Sequence, residues 1–141
     1  GALCIARKNS VRHGVADAVS LIQADLFSCF TGSSPFSLIV SNPPYVAQQQ
    51  LMGLLEPEVL EHEPREALDG GPDGLHFIIA IRDRLPEMLV SGGDCFLEIG
   101  DDQAEAVMEL FRENRWRDNF SSCEVKKDYS GRDRVAHIRM T

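Results

Sequence analysis

A tetrapeptide, NPPY at residues 42–45, follows directly after the apolar segment FSLIVS at residues 36–41. Pro43 and Pro44 carry no backbone N–H, and each fixes its own φ and holds the residue before it extended. The carbonyls at this point, together with the Asn42 side-chain oxygen, form a group of acceptors suited to an –NH2 group. Tyr45 adds a flat face on which a planar amide or base can stack. The structural alternative is a proline-stiffened turn in which the Asn and the Tyr are incidental.

The elements around this tetrapeptide predict an α/β sheet. Runs of apolar residues typical of buried strands occur at residues 18–27, 36–41 and 94–100. Two further strands are predicted around a Ser-Gly turn in the C-terminal segment SCEVKKDYSGRDRVAHIRM. This pattern favours a mostly parallel sheet with an antiparallel C-terminal hairpin. In such sheets ligands bind at the carboxyl ends of strands, which is where the tetrapeptide falls.

Apolar residues at helical spacing predict helices between these strands. One such pattern begins at Ala2 and stops at Gly14, and another covers residues 75–89. A third helix is predicted after residue 100, where Asp102 and Glu105 have the spacing of a capping box.

Composition limits the class of protein. The chain has 141 residues, which is the length of a single domain. It contains 22 acidic residues and 14 Lys plus Arg, so its formal net charge is -8. The basic residues are scattered, which argues against nucleic acid or an anionic membrane as the main partner. The four cysteines form no C-x-x-C pair, so we expect reduced, mostly buried thiols, no metal site and a cytoplasmic protein.

A longer segment makes the family recognisable. The strand followed by NPPY resembles the motif of methyltransferases that modify amino groups with S-adenosylmethionine. The segment EHEPREALDGGPDGLHFI, at residues 61–78, resembles the E-P-x-x-A-L-x-G-G-x-D-G-L stretch of release factor glutamine methyltransferases, the PrmC/HemK family. LVSGGDCFLEIGDDQAEAV and KKDYSGRDRV are similar to later strands of the same family, so the resemblance covers nearly the whole chain.

The resemblance implies an activity and a set of roles. The activity is N5-methylation of the glutamine side-chain amide in the Gly-Gly-Gln loop of peptide chain release factors. Asn42 is the implied catalytic residue, and it binds the substrate amide together with Pro43, Pro44 and Tyr45. The alternatives are a fragment of an adenine-N6 or guanine-N2 nucleic-acid methyltransferase, which the same tetrapeptide permits, and a non-catalytic binding fragment.

The implied fold is a partial class I methyltransferase of the Rossmann-like type. The implied cofactor is S-adenosylmethionine, with Asp25, Leu26 and Asn42 as its matching positions. We expect residues 1–141 to be the C-terminal portion of a catalytic domain, because the family's first two strands and glycine-rich cofactor turn would precede Gly1. The chain alone is then expected to be inactive. The family's strand order is 3-2-1-4-5-7-6, so the two missing strands would leave an unpaired sheet edge through which the fragment could dimerise.

Overall fold

The structure is a computed structural model that describes residues 1–31, 36–51 and 64–141. It consists of two compact units, Gly1–Thr31 and Gly32–Thr141. Residues 61–63, which begin the segment EHEPREALDGGPDGLHFI, lie outside the described residues.

The first unit begins with helix α1, Ala2–Arg12. The helix ends at His13, and Gly14 follows with a φ of 68°. The N–H of Gly14 donates to the carbonyl of Val11 at 3.0 Å, and the N–H of Val15 donates to that of Ser10 at 2.9 Å. These two bonds form a Schellman motif, in which glycine is favoured because it adopts positive φ without strain. The predicted helix and its stop at Gly14 are confirmed.

The strand predicted at residues 18–27 is wrong. This segment consists of turns and irregular backbone, and no strand in the described part of the chain pairs with it. Apolar composition alone does not make a strand, because its backbone N–H and C=O groups need a neighbouring strand as partner. Its apolar side chains remain accessible, with Val19, Leu21 and Ile22 at 44%, 39% and 53% exposure.

The second unit contains a four-stranded sheet in the order β1-β2-β4-β3. Its strands are β1 Phe36–Ser41, β2 Leu89–Glu98, β3 Phe120–Lys127 and β4 Asp133–Met140. β1 and β2 are parallel, whereas β4 pairs antiparallel with both β2 and β3. The predicted hairpin is confirmed, and the observed order corresponds to the 4-5-7-6 part of the expected arrangement. The described sheet is mixed, because one of its three pairings is parallel.

Helices α2 Gln48–Leu51, α3 His76–Met88 and α4 Ala104–Arg112, and a 3-10 turn at Arg65–Ala67, complete the described elements. α3 lies in the connection between the parallel strands β1 and β2, as the crossover of a β-α-β unit requires. Both α3 and α4 pack on one face of the sheet. That core contains Ile78, Ile81, Leu85 and Met88 from α3, Val107 and Phe111 from α4, and Cys95, Leu97, Ala136 and Ile138 from the sheet. On the opposite face, Leu38 and Val40 are 53% and 71% exposed.

The capping box predicted at Asp102 is wrong. The N-cap of α4 is Gln103, and it makes no side-chain capping bond. The Gln103 side chain instead bonds to the Gly100 N–H and the Tyr45 carbonyl, and α4 begins one residue later than predicted. None of the described helices is long and apolar enough to cross a membrane.

The four thiols divide into two groups. Cys4 and Cys29 are exposed, Cys95 is buried and Cys123 is half-buried, so the expectation of mostly buried thiols is wrong. Burial raises the pKa of Cys95 to about 12 and that of Cys123 to about 11. Both thiols lie on strands of the packed sheet, where water cannot stabilise a thiolate.

We expect iodoacetamide at pH 8 to alkylate Cys4 and Cys29 and to spare Cys95 and Cys123. At this pH only about one Cys95 in ten thousand carries a thiolate, since the reactive fraction falls tenfold for each unit by which the pKa exceeds the pH. Peptide mass spectrometry at timed intervals measures the reaction, and the same chain in denaturant is the control in which all four react. Equal rates for Cys29 and Cys95 in the folded chain would contradict the packing described above.

Candidate functional site

The tetrapeptide lies where the two parallel strands end. Ser41 of β1 is in register with Leu97 of β2, so the loop starts beside the carboxyl end of the neighbouring strand. Pro43 is buried, whereas Asn42 is exposed. Among the described residues, none hydrogen-bonds to the Asn42 side chain or to the Pro43 carbonyl. Within the described part of the chain, both acceptors at this edge of the sheet are therefore without a partner.

The loop is supported through its backbone by the glycine-containing segment that precedes α3. Val46 forms a parallel bridge with Asp69, in which its N–H donates to Leu68 at 3.0 Å and its carbonyl accepts from Gly70 at 2.9 Å. The N–H of Gln48 donates to the carbonyl of Gly71 at 3.0 Å. Residues 68–71 therefore have a structural role. Their backbone groups pair with those of Val46 and Gln48, which follow the point where the prolines end the sheet ladder.

Two glycines allow this segment to approach so closely. A Cβ at Gly70 would lie 2.8 Å from the Tyr45 Cα and 2.9 Å from the Gly74 Cα. A Cβ at Gly74 would overlap the Tyr45 carbonyl oxygen and Gln103 Nε2, and the φ of Gly74 is +77°. Only glycine fits these positions without displacing the loop.

Gln103 connects the loop to the start of α4. Its Oε1 accepts from the Gly100 N–H at 2.9 Å, and its Nε2 donates to the Tyr45 carbonyl at 2.9 Å. The residue is 8% exposed. A buried amide with both ends bonded fixes the Tyr45 peptide plane, because breaking either bond would leave a buried polar group without a partner.

The Tyr45 ring is held at its hydroxyl. The hydroxyl donates to Glu98 Oε1 at 3.0 Å, and Arg134 Nη1 approaches the same oxygen at 3.4 Å. Burial raises the pKa of Tyr45, as do the hydrogen bond to Glu98 and its negative charge, while Arg134 acts in the opposite direction. The phenol consequently stays protonated and remains a donor to the carboxylate.

Arg134 is fixed in turn by the hairpin that carries it. Its Nη1 donates to the Ile99 carbonyl at 3.1 Å, and its Nε lies 3.7 Å from Asp128 Oδ2. A backbone hydrogen bond from Arg132 is the main cause that lowers the pKa of Asp128, and a second comes from Ser130. Asp128 therefore keeps its negative charge opposite Arg134. Both residues belong to the segment KKDYSGRDRV, so this segment contributes to the site.

Two cavities border the loop. One, of about 260 Å³, is lined in part by Tyr45, Asp101, Asp102 and Arg134. The other, of about 230 Å³, shares Asp102 with the first and includes Asp73. Three carboxylates and one guanidinium thus line the two cavities, and neither Asn42 nor Pro43 is among the lining residues. No cluster of three or more potential metal ligands occurs within residues 1–31, 36–51 and 64–141.

Of the predicted site residues, the structure brings Asn42, Pro43, Pro44 and Tyr45 together in one loop. Asp25 and Leu26 belong to the first unit, where Asp25 is exposed in a turn and Leu26 is 37% exposed with a φ of 45°. Their assignment to a cofactor stays a prediction. Sequence reasoning missed three residues that hold the loop: Glu98, Gln103 and Arg134. One signal in the sequence could have found Glu98. This residue belongs to the predicted strand at residues 94–100, and the tetrapeptide follows the carboxyl end of another strand of the same predicted sheet.

We expect Gly74→Ala to destabilise the chain much more than Gly131→Ala. Both glycines have positive φ, at +77° and +81°, so both variants carry a backbone strain of about 1–2 kcal/mol. Only the Cβ at position 74 meets other atoms, since nothing lies within 4 Å of a Cβ at Gly131. Overpacking adds about 1–3 kcal/mol to the loss at Gly74. Urea denaturation of both variants measures the difference in free energy of unfolding, and equal losses would show that the close approach to Tyr45 is not needed.

The chain was compared with known proteins. No family model matches it. It is 44% identical over 140 residues to a release factor glutamine methyltransferase of Geobacter sulfurreducens, covering 99% of this chain and 46% of that protein. A protein of the same name from Caulobacter vibrioides is 43% identical, with 95% of this chain and 44% of the relative covered. The chain therefore spans less than half the length of these relatives.

A solved structure supports the same fold. The crystal structure of a methyltransferase from Pyrococcus furiosus matches with a TM-score of 0.52, at 18% identity, over 96% of this chain and 55% of that one. The α/β fold is therefore that of part of a methyltransferase, as predicted. Over nearly its whole length, the chain is similar to the C-terminal 45% or so of the release factor glutamine methyltransferases.

Proposed function

We propose that this chain provides the substrate-amide site of an enzyme that uses S-adenosylmethionine to methylate N5 of a glutamine side chain in the Gly-Gly-Gln loop of peptide chain release factors. The observation that carries the proposal is a pair of acceptors, Asn42 Oδ1 and the Pro43 carbonyl, to which no described residue hydrogen-bonds, on a loop held at Tyr45 and Val46. The similarity to proteins named for this activity supports the choice of substrate.

The chemical difficulty is the weak nucleophile. The lone pair of an amide nitrogen is delocalised into its carbonyl, so the site must orient the nitrogen rather than deprotonate it beforehand. Asn42 Oδ1 and the Pro43 carbonyl accept one N–H bond each, and this fixes the plane of the glutamine amide. Positioning of this kind can lower a barrier by several kcal/mol, up to roughly 7–11 in well-oriented intramolecular reactions.

Pro44 and Tyr45 complete the slot. Pro44 limits the backbone of the loop to one shape, and the Tyr45 ring stacks on the planar amide. Tyr45 is held at two points. Its hydroxyl donates to Glu98 Oε1 at 3.0 Å, and its backbone carbonyl accepts from Gln103 Nε2 at 2.9 Å. The slot is therefore formed before the substrate arrives.

The cofactor implied by the methyltransferase relatives is S-adenosylmethionine, which supplies the methyl group when bound. On this chain Asp25, Leu26 and Asn42 are its proposed contacts. An exposed carboxylate next to an exposed apolar side chain fits the polar edge and the flat face of an adenine. Because the matched relatives are more than twice as long as this chain, we propose that the chain alone does not turn over substrate.

Two other functions are less well supported. A nucleic-acid amino-methyltransferase would use the same acceptors, but the net charge is -8 and carboxylates line both cavities beside the loop. Phosphate groups would be repelled there. A non-catalytic binding fragment would keep the slot without methyl transfer. The proposed partner is therefore a release factor, a cytoplasmic protein substrate, and nucleic acid and membranes are not expected partners.

We expect Asn42→Ala to abolish most methyl transfer. The test uses a chimera in which this chain replaces the matching segment of a full-length relative, and it measures incorporation of labelled methyl groups into a release factor. Loss of one hydrogen bond aimed at the reacting group typically lowers kcat by about 10²–10³-fold. Asn114→Ala, which removes an exposed asparagine after α4, is the control and should leave the rate unchanged. A release factor whose glutamine is replaced by alanine should accept no label.

The isolated chain has a sheet edge at which it can self-associate. No described strand pairs with the outer edge of β1, and Leu38 and Val40 on this strand are highly exposed. Exposed apolar edge strands are templates for pairing with another chain. We therefore propose a dimer of the isolated chain through β1.

Size-exclusion chromatography with light scattering should show a species larger than the 15.7 kDa monomer. Val40→Lys should shift it towards the monomer, since a charge on an edge strand opposes pairing. Lys126→Glu on β3 is the control and should leave the size of the species unchanged. A monomer at high concentration would contradict the dimer.

A further inference from the structure

We propose that Glu98 is a positioning residue for the reaction, because its carboxylate fixes the Tyr45 ring against which the substrate amide stacks. The inference rests on the proposed function. Its physical basis is the arrangement of three groups around one phenolic oxygen: Tyr45, Glu98 and Arg134.

Glu98 reaches the loop from the neighbouring strand. It is the last residue of β2, and its predecessor Leu97 is in register with Ser41, the last residue of β1. Side chains alternate along a strand, and Leu97 is in the buried core, so Glu98 points to the other face of the sheet. The carboxylate thereby meets the Tyr45 hydroxyl at 3.0 Å.

The direction of this hydrogen bond is fixed by chemistry. A guanidinium has donors only, so Arg134 Nη1, at 3.4 Å, can only donate to the hydroxyl oxygen. The phenol proton is therefore left to point at Glu98 Oε1. With an acceptor on one side and a donor on the other, both hydrogen-bonding functions of the hydroxyl are used, and the side chain cannot swing away from this position without losing both.

Glu98 itself is not needed for the core. It is half-buried and lies outside the set of buried apolar residues. Arg134 approaches the same hydroxyl and is itself held by the Ile99 carbonyl and by Asp128. We therefore assign the carboxylate to the orientation of Tyr45, rather than to substrate binding or to stability.

The kinetic test uses the chimera described above and a two-by-two set of variants: Glu98→Ala, Tyr45→Phe and their combination. If Glu98 acts through the hydroxyl, Glu98→Ala lowers kcat roughly tenfold or more, with little change in KM for the release factor. In the Tyr45→Phe background the same substitution should change kcat less than about twofold. Glu98→Gln should restore most of the rate, since its amide oxygen still accepts the bond.

The control is Glu124→Ala, which removes a 64% exposed carboxylate from the same face of the sheet. It should leave kcat unchanged. Equal losses from Glu98→Ala in both backgrounds, with every variant folded by circular dichroism, would overturn the inference. If the unsubstituted chimera transfers no methyl group, the proposed function fails instead, and the two failures are distinct.

A second readout does not depend on activity. The chain has two tyrosines, Tyr45 and the fully exposed Tyr129, so ¹³Cζ-tyrosine labelling gives one signal for each. Glu98→Ala should move the ionisation of Tyr45 to lower pH, because burial raises the pKa of Tyr45 and the hydrogen bond and the charge of Glu98 raise it further. The Tyr129 signal serves as the internal reference. An unchanged Tyr45 titration in the variant would show that the carboxylate does not hold the ring.

Discussion

The two consecutive prolines at the end of β1 are the constraint on which the rest of the site depends. The ladder between β1 and β2 runs as far as Ser41 and Leu97, and it cannot continue because Pro43 and Pro44 have no N–H. Among the described residues, none donates a hydrogen bond to the carbonyl of Pro43. A single local feature thus produces open acceptors for a ligand and a loop that the sheet no longer holds.

The chain compensates with anchors from four segments of the sequence. The segment before α3 supplies backbone bonds to Val46, the start of α4 supplies the buried amide of Gln103, and the ends of the central strands supply Glu98 and Arg134. These anchors act on the hydroxyl and the carbonyl of Tyr45 and on the backbone of Val46. A rigid loop orients an amide without a fresh entropic cost at each turnover, which is how positioning contributes to rate.

Local patterns predicted the parts of the fold whose causes are local. The strand before NPPY, the helix at residues 76–88 and the C-terminal hairpin follow from periodicity and turn residues, and the acceptor chemistry of residues 42–45 follows from residue type. Residues 18–27 did not form a strand, because pairing depends on a neighbour that composition cannot reveal. Glu98 was missed for a similar reason: in sequence it is one polar position on an alternating strand, and only the register with Ser41 places it beside Tyr45.

The charges near Tyr45 support the proposed protein substrate over a nucleic acid. A pair of neutral acceptors cannot by itself distinguish a glutamine amide from an adenine or guanine amino group, since each presents two N–H bonds to it. Selectivity must come from what flanks the slot. Arg134 is already engaged with Tyr45, Ile99 and Asp128, while Asp73, Asp101 and Asp102 line the adjacent cavities. A polyphosphate backbone would have to enter against these charges, whereas a polypeptide loop carrying a neutral side chain would not.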